Sequence, residues 1–144
     1  MTSYGNYDKG YKAEQYFSSI LNAKGVFNIF DDNEWYDYRI GKSINDCAIK
    51  VEVKSTGLCI REGQFTKDNE PRYTQGRFLF KENQLEHQYG PDEWFCFLVR
   101  WKEQFILYGF VRGDKLTLKR HMTLSDIRKV GLIDADDFIS KVIR

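Results

Sequence analysis

The stretch CAIKVEVKST, residues 47–56, constrains the fold of this chain more than any other feature. Its side chains alternate between aliphatic and charged: Ile49, Lys50, Val51, Glu52, Val53 and Lys54. Successive side chains of a β-strand point to opposite faces of the sheet, so this alternation predicts a strand. The charged face of that strand is either a solvated surface or part of an active site.

The length and composition indicate a single globular domain. The chain has 144 residues, of which 42% are hydrophobic and 30% are charged, and this is enough for a hydrophobic core. The formal net charge is only +1, so the chain as a whole is not a basic nucleic-acid binder. Any nucleic-acid partner would have to contact a local cluster of basic residues.

The cysteine pattern and the hydropathy predict a cytoplasmic location. Cys47, Cys59 and Cys96 are odd in number and lack the paired spacing of a zinc site. Scattered, unpaired cysteines are typical of a reducing compartment. No apolar run indicates a signal peptide, and no segment approaches the roughly 20 apolar residues of a membrane span, so no membrane partner is expected.

The periodicity of the chain predicts an α/β (α+β) fold with a mixed central sheet of about five strands flanked by helices. The predicted elements are a helix over 8–25, strands over 26–30, 34–40 and 47–56, a long polar loop over 57–77, a helix over 78–90, strands over 94–101 and 104–111, and short helices over 123–131 and 134–144. Lys102 and Glu103 predict a hairpin turn, and Thr123 and Asp134 are predicted helix caps.

Asp37 is the first acidic residue that could act together with the charged face of the strand predicted over 47–56. If the strands over 34–40 and 47–56 are neighbours, Asp37 and Glu52 converge at one edge of the sheet. Two carboxylates in such proximity repel each other unless a cation lies between them, and hard oxygen ligands suit Mg²⁺. Lys54, on the same strand face as Glu52, would orient or deprotonate a water molecule or neutralise developing charge.

Glu14 is the second acidic residue that could act together with this strand face. At 100° per residue it lies about 20° from Leu21 around the first helix, so it sits at the edge of the apolar stripe. An acid that leans toward the core needs a partner. The expected partner is either a metal-bound water or Lys54.

These residues resemble the PD-(D/E)XK nuclease superfamily, and the compact archaeal Holliday-junction resolvases in particular. That family has a helical Glu, a strand Asp and a Glu-X-Lys strand, matched here by Glu14, Asp37 and the sequence Glu52-Val53-Lys54. A Gln on the following helix of the family is matched by Gln84. The resemblance covers about residues 9–111 and leaves 112–144 as a helical C-terminal extension of one nuclease-like domain. The proline that precedes the family's Asp is Tyr36 here.

The resemblance implies a Mg²⁺-dependent DNA endonuclease, with Mn²⁺ as a substitute, that works as a homodimer. It implies metal ligation by Asp37, Glu52, the Val53 carbonyl and Glu14, the last through a second metal or its water. Lys54 would assist a water that attacks in line with the leaving oxygen, and Gln84 would complete the site. No glycine-rich phosphate loop is present, and no organic cofactor is expected.

Two segments are candidates for DNA contact. The polar loop over 57–77 follows Lys54 directly, and Arg72, Tyr73 and Arg77 are its candidate phosphate and base contacts. The tail over 112–129 carries denser basic charge but no motif that links it to the site. A non-catalytic domain of the same fold, which only binds nucleic acid or protein, is the alternative function. A separate, purely structural alternative makes Glu52 and Lys54 ordinary residues of a solvent-facing sheet.

Overall fold

The computed structural model describes residues 2–32, 35–65 and 71–143, and it describes their side chains except those of 2–9, 59–65 and 71–74. The described helices are α1 (Thr2–Ala23), α2 (Glu82–Glu86), α3 (Leu124–Arg128) and α4 (Ala135–Val142), with a 3₁₀ turn at Gly113–Lys115. The described strands are β1 (Phe27–Phe30), β2 (Tyr38–Gly41), β3 (Ile49–Gly57), β4 (Cys59–Phe65), β5 (Pro71–Gln75), β6 (Arg77–Leu79), β7 (Glu93–Trp101), β8 (Gln104–Arg112) and β9 (His121–Thr123).

The central sheet is mixed and has five strands in the order β1-β2-β3-β7-β8. Only the β3–β7 pair is parallel, because the chain between them crosses over through β4, β5, β6 and α2. The other pairs of this sheet are antiparallel. This confirms the α+β class, the mixed five-stranded sheet, the flanking helices and the short C-terminal helix predicted from the sequence.

Two hydrophobic clusters cover the two faces of the sheet. On one face α1 and α4 pack through Phe17, Leu21 and Phe138. Phe110 and Phe138 stack face to face there, with ring centroids 4.0 Å apart. The other cluster is built from aromatic residues of β6 and β7, from the segment before β2 and from α3. Both faces of β3 are therefore covered by packed side chains, and for this reason Glu52 and Lys54 are buried.

The β7–β8 hairpin turns where the sequence predicts it. Trp101 pairs with Gln104, and Lys102 and Glu103 form a two-residue turn with φ of 49° and 65°. Positive φ at both central residues matches the twist of the flanking strands and is the type I′ geometry of short hairpins. The predicted caps are also confirmed, because the Thr123 and Asp134 side chains accept hydrogen bonds from the first turns of α3 and α4.

The prediction of a long loop over 57–77 is wrong. Cys59–Phe65 and Pro71–Gln75 form the strands β4 and β5, which pair antiparallel with an irregularity in register between Arg61 and Phe65. The polar composition hid these strands because a hairpin outside the main sheet needs no continuous apolar face. Residues 66–70 of this segment lie outside the described part of the chain.

The prediction of a helix over 78–90 is wrong over most of its length. β6 pairs with β9, and the helical part is confined to Glu82–Glu86. Phe78 and Phe80 are buried while Leu79 between them is exposed, so the apolar period here is two rather than 3.6. Among the described residues, no helix is long and apolar enough to cross a membrane.

Candidate active site

Asp37 lies at the point where β2 begins beside β3. Its backbone N–H donates to the carbonyl of Val51 at 3.1 Å, and Tyr38 is paired with Val51 in the sheet. Beyond this point β3 continues without a backbone partner from β2. In place of a β2 backbone carbonyl, the Asp37 carboxylate accepts a hydrogen bond from the Val53 N–H at 3.4 Å. Asp37 therefore caps the exposed edge of β3 directly beside Glu52.

Glu52 and Lys54 are buried, with only 5% and 8% of their surface exposed. They lie opposite Phe95 and Phe97 of β7 on the face covered by the aromatic cluster. The Lys54 ammonium also lies 5.1 Å from the centre of the Phe80 ring. This burial shows that the alternative in which Glu52 and Lys54 belong to a solvent-facing sheet is wrong. Charged side chains are almost never fully buried unless they are paired.

Gln84 joins the two charged groups. The Lys54 Nζ donates to Gln84 Oε1 at 2.7 Å and lies 3.3 Å from Glu52 Oε2. Gln84 Nε2 donates to Glu52 Oε2 and, at 3.0 Å, to the carbonyl of Trp35. The Lys81 N–H donates to Gln84 Oε1 at 2.9 Å, which holds the side chain against the start of α2. Gln84 is only 1% exposed, so this network is enclosed.

Burial and neighbouring charges shift the pKa values of this pair. Burial raises the pKa of Glu52 well above its usual range, and a hydrogen bond with Asp37 raises it further, against the opposing effects of Lys54 and Gln84. Burial lowers the pKa of Lys54, against the opposing effect of Glu52. The carboxyl groups of Glu52 and Asp37 are thus within hydrogen-bonding reach of each other. Because its pKa is lowered, the Lys54 ammonium releases its proton more readily than an exposed lysine does.

Glu14 faces a different environment. It is half-buried on α1 and lines an open cleft of about 840 Å³ together with Asp37, Asp32 and Lys81. Burial first, then the charges of Asp37 and Asp32, raise the pKa of Glu14 to about 7, and Lys81 opposes them. Of the two expected partners of Glu14, Lys54 is instead engaged with Glu52 and Gln84. Lys81 is a cation that lowers the pKa of Glu14.

The oxygen atoms at this edge suit a hard divalent cation. Asp37 and Glu52 bring two carboxyl groups into contact, which is unfavourable for two negative charges unless a proton or a cation is shared. The Val53 carbonyl lies on the same strand edge as its N–H, which already bonds Asp37. No group of three or more His, Cys, Asp or Glu side chains with metal-binding geometry occurs among the described residues. The fit therefore rests on this carboxylate pair and the adjacent carbonyl.

The two basic segments predicted as alternative DNA contacts are neighbours in the fold. Arg77 of β6 is paired with Thr123 of β9, and its side chain is exposed. The side chains of Arg72 and Tyr73 lie outside the described residues. Arg120, directly before β9, forms an exposed ion pair with Glu82 of α2, with a nitrogen–oxygen distance of 3.0 Å. β6 at the end of the first segment is thus paired with β9 of the tail, and which of the two segments contacts DNA stays a prediction.

Sequence reasoning missed three groups at the site. These are the Trp35 carbonyl, which anchors Gln84, and Lys81 and Asp32, which line the Glu14 cleft. Backbone carbonyls leave no trace in a sequence pattern. Lys81 stands directly before α2, where its N–H meets Gln84 three residues later, and this spacing is the one signal that was available.

No family model, no curated protein and no solved structure matches this chain.

Proposed function

We propose that this protein is a metal-dependent DNA endonuclease of the PD-(D/E)XK type, with a restriction-endonuclease-like core. One observation carries the proposal: Glu52 and Lys54 are buried and bonded through Gln84, while the Glu52 carboxyl contacts Asp37 at the strand edge. Burying a charged pair under an aromatic cluster costs stability relative to apolar residues. Such a cost is typical of residues retained for chemistry, which is where strongly shifted pKa values concentrate.

Each residue has a proposed role at its observed position. Asp37, Glu52 and the Val53 carbonyl would hold Mg²⁺ or Mn²⁺, and Glu14 would hold a second ion or its water from the cleft. A bound divalent ion supplies a water of lowered pKa and stabilises charge on a phosphate oxygen. Lys54 would orient the attacking water or, as the free amine that its lowered pKa favours, accept a proton from it. Gln84 holds the Lys54 Nζ next to the Glu52 carboxyl.

The substrate and assembly proposals follow from the same resemblance. Phosphodiester hydrolysis would proceed by in-line attack of water on a DNA phosphate, with the exposed Arg77 and the adjacent Arg72 and Tyr73 as proposed DNA contacts. A homodimer would bring two sites to two strands. A cytoplasmic location remains a prediction from the cysteine pattern.

A non-catalytic nucleic-acid-binding or protein-interaction domain is the second candidate function. It is favoured by the engagement of Glu52 Oε2 with both Lys54 and Gln84, which is the pattern of a purely structural network. The two functions differ in their response to a metal ion. A structural network leaves Asp37 with no role beyond capping Val53.

Cleavage of labelled DNA junctions, duplexes and single strands, with Mg²⁺, Mn²⁺ or EDTA, tests the proposal. We expect Mg²⁺-dependent products that EDTA abolishes. The variant Asp37→Asn should cut at least about 100-fold more slowly, because it removes a metal ligand. Asp136→Asn is the matched control, since it removes an exposed carboxylate whose ion pair among the described residues is with Lys24. Equal rates for both variants, or products that persist in EDTA, would contradict the proposal.

A further inference from the structure

A groove runs along α1 and ends at the candidate site. It extends from Tyr11 to Asn22, which is about 16 Å of helix, and at one end it includes Glu14 and Asp37. At a rise of about 3.4 Å per nucleotide, this length accommodates on the order of four nucleotides of one strand. The groove is therefore long enough to hold a short segment of substrate next to the proposed reacting phosphate.

Two exposed aromatic rings line this groove. Tyr11 is 53% exposed and lies three residues before Glu14 on α1, and Phe30 at the end of β1 is 52% exposed. The Phe30 ring packs edge-on against Tyr38, with centroids 5.6 Å apart. The Tyr38 hydroxyl donates to the carbonyl of Glu14 at 3.2 Å. Phe30 is thus held in a fixed position relative to the turn that carries Glu14, while half of its surface remains in solvent.

The charge of the groove is uneven. Its acids, Glu14, Asp32 and Asp37, lie together with Lys81. The remaining polar side chains that line the groove along α1 are uncharged: Gln15, Ser18, Ser19 and Asn22. A groove without a row of cations does not track a phosphate backbone, but uncharged polar groups and aromatic rings can contact bases. A paired duplex keeps its bases stacked inside and cannot offer them to these rings.

We infer that this groove binds a single-stranded segment of DNA, with unpaired bases stacked on Tyr11 and Phe30 and the adjoining phosphate at the end of the groove that Asp37 lines. The inference names the substrate class of the proposed nuclease and rests on that proposed function. Stacking on a ring is tolerant of sequence, because every base has an aromatic face. The enzyme would therefore select for unpaired bases and not for a base sequence.

Binding of a fluorescein-labelled single-stranded oligonucleotide, measured by anisotropy with Ca²⁺ as the oxygen-preferring ion, tests the groove. Tyr11→Leu and Phe30→Leu keep apolar bulk and remove the ring, and each should weaken binding about fivefold or more. Tyr11→Phe and Phe30→Tyr keep the ring and should bind like the wild type. Trp101→Leu is the matched control, because Trp101 is also exposed but lies at the β7–β8 turn.

Cleavage measured in parallel separates the two proposals. Preference for the single strand over its duplex, lost in the two leucine variants and kept in the ring-preserving variants, is the expected result. Equal cutting of duplex and single strand, or leucine variants that bind like the wild type, would overturn the inference and leave the nuclease proposal intact. Binding that needs the aromatic rings, without any Mg²⁺-dependent cleavage, would instead overturn the nuclease proposal and retain the groove as a binding site for single-stranded DNA. Far-UV circular dichroism of each variant identifies any loss of folding.

Discussion

The candidate site has an enclosed part and an open part, and they differ in how their charges are satisfied. In the enclosed part, Glu52, Lys54 and Gln84 bond to one another beneath the aromatic cluster. In the open part, Asp37 and Glu14 line a cleft that holds more acids than cations. The contact between Asp37 and Glu52 links the two parts, and so does Lys81, whose N–H donates to Gln84 while its side chain lines the cleft.

This difference assigns different physical roles to the two parts. The enclosed part fixes positions, because each of its polar groups has a partner and removal of one leaves another unpaired in a dry environment. The open part has unmet negative charge, which a cation can neutralise. Substitutions in the enclosed part should therefore change stability, and substitutions in the open part should change the response to metal ions.

The largest effect is expected for Lys54→Ala. Glu52 would lose its cation while it remains buried, and breaking a buried pair costs about 3–5 kcal/mol of unfolding free energy. Chemical denaturation followed by circular dichroism measures this. Lys50→Ala on the same strand is the control, because Lys50 is partly exposed, lies 5.4 Å from the Tyr36 ring centre and should cost well under half as much.

A double replacement sharpens this result. Glu52→Leu combined with Lys54→Met removes both charges, and apolar replacement of a buried pair is often neutral or stabilising. The double variant should recover most of the stability lost in Lys54→Ala and remain without cleavage activity. An equal loss in Lys54→Ala and Lys50→Ala would show that the enclosed part is not a coupled network.

A smaller effect is expected for Gln84→Leu. The change leaves Glu52, Lys54 and the Lys81 N–H each with one hydrogen bond fewer, which should cost about 2 kcal/mol. Asn83→Leu is the matched control, since Asn83 is an exposed amide on the same helix and should change stability by no more than about 0.5 kcal/mol. Matching denaturation midpoints for the two variants would place Gln84 outside the network.

The smallest effect is expected in the open part. Mg²⁺ at about ten times its dissociation constant should stabilise the wild type by about 1.4 kcal/mol, because it binds only the folded site. Asp37→Asn should lose this stabilisation, and Asp136→Asn should keep it. Thermal unfolding across a Mg²⁺ titration measures both variants. If Mg²⁺ stabilises Asp37→Asn as much as the wild type, the ion binds somewhere other than the edge of β3.

The sequence by itself determined the elements whose local pattern agrees with their final environment. The β7–β8 turn and the caps of α3 and α4 fall where the sequence predicts them, whereas α1 begins six residues before its predicted start and ends two residues before its predicted end. The neighbouring placement of Asp37 and the Glu52 strand was also predictable, because two strands separated by a short polar turn pair as a hairpin. Spacing and resemblance named five candidate site residues, and their roles stay predictions: Glu14, Asp37, Glu52, Lys54 and Gln84.

The tertiary structure alone decided the environment of those residues. A pattern of period two assigns Glu52 and Lys54 to one face of β3 but cannot say that aromatic residues of distant β6 and β7 cover that face. Gln84 became the link because a five-residue helix places it against Glu52 and Lys54, whereas the sequence predicted a helix over 78–90. The partner of Glu14 was likewise undecidable, since Lys54 and Lys81 reach their positions only through the crossover between β3 and β7. Burial and long-range pairing depend on contacts between remote segments, and local sequence patterns do not contain them.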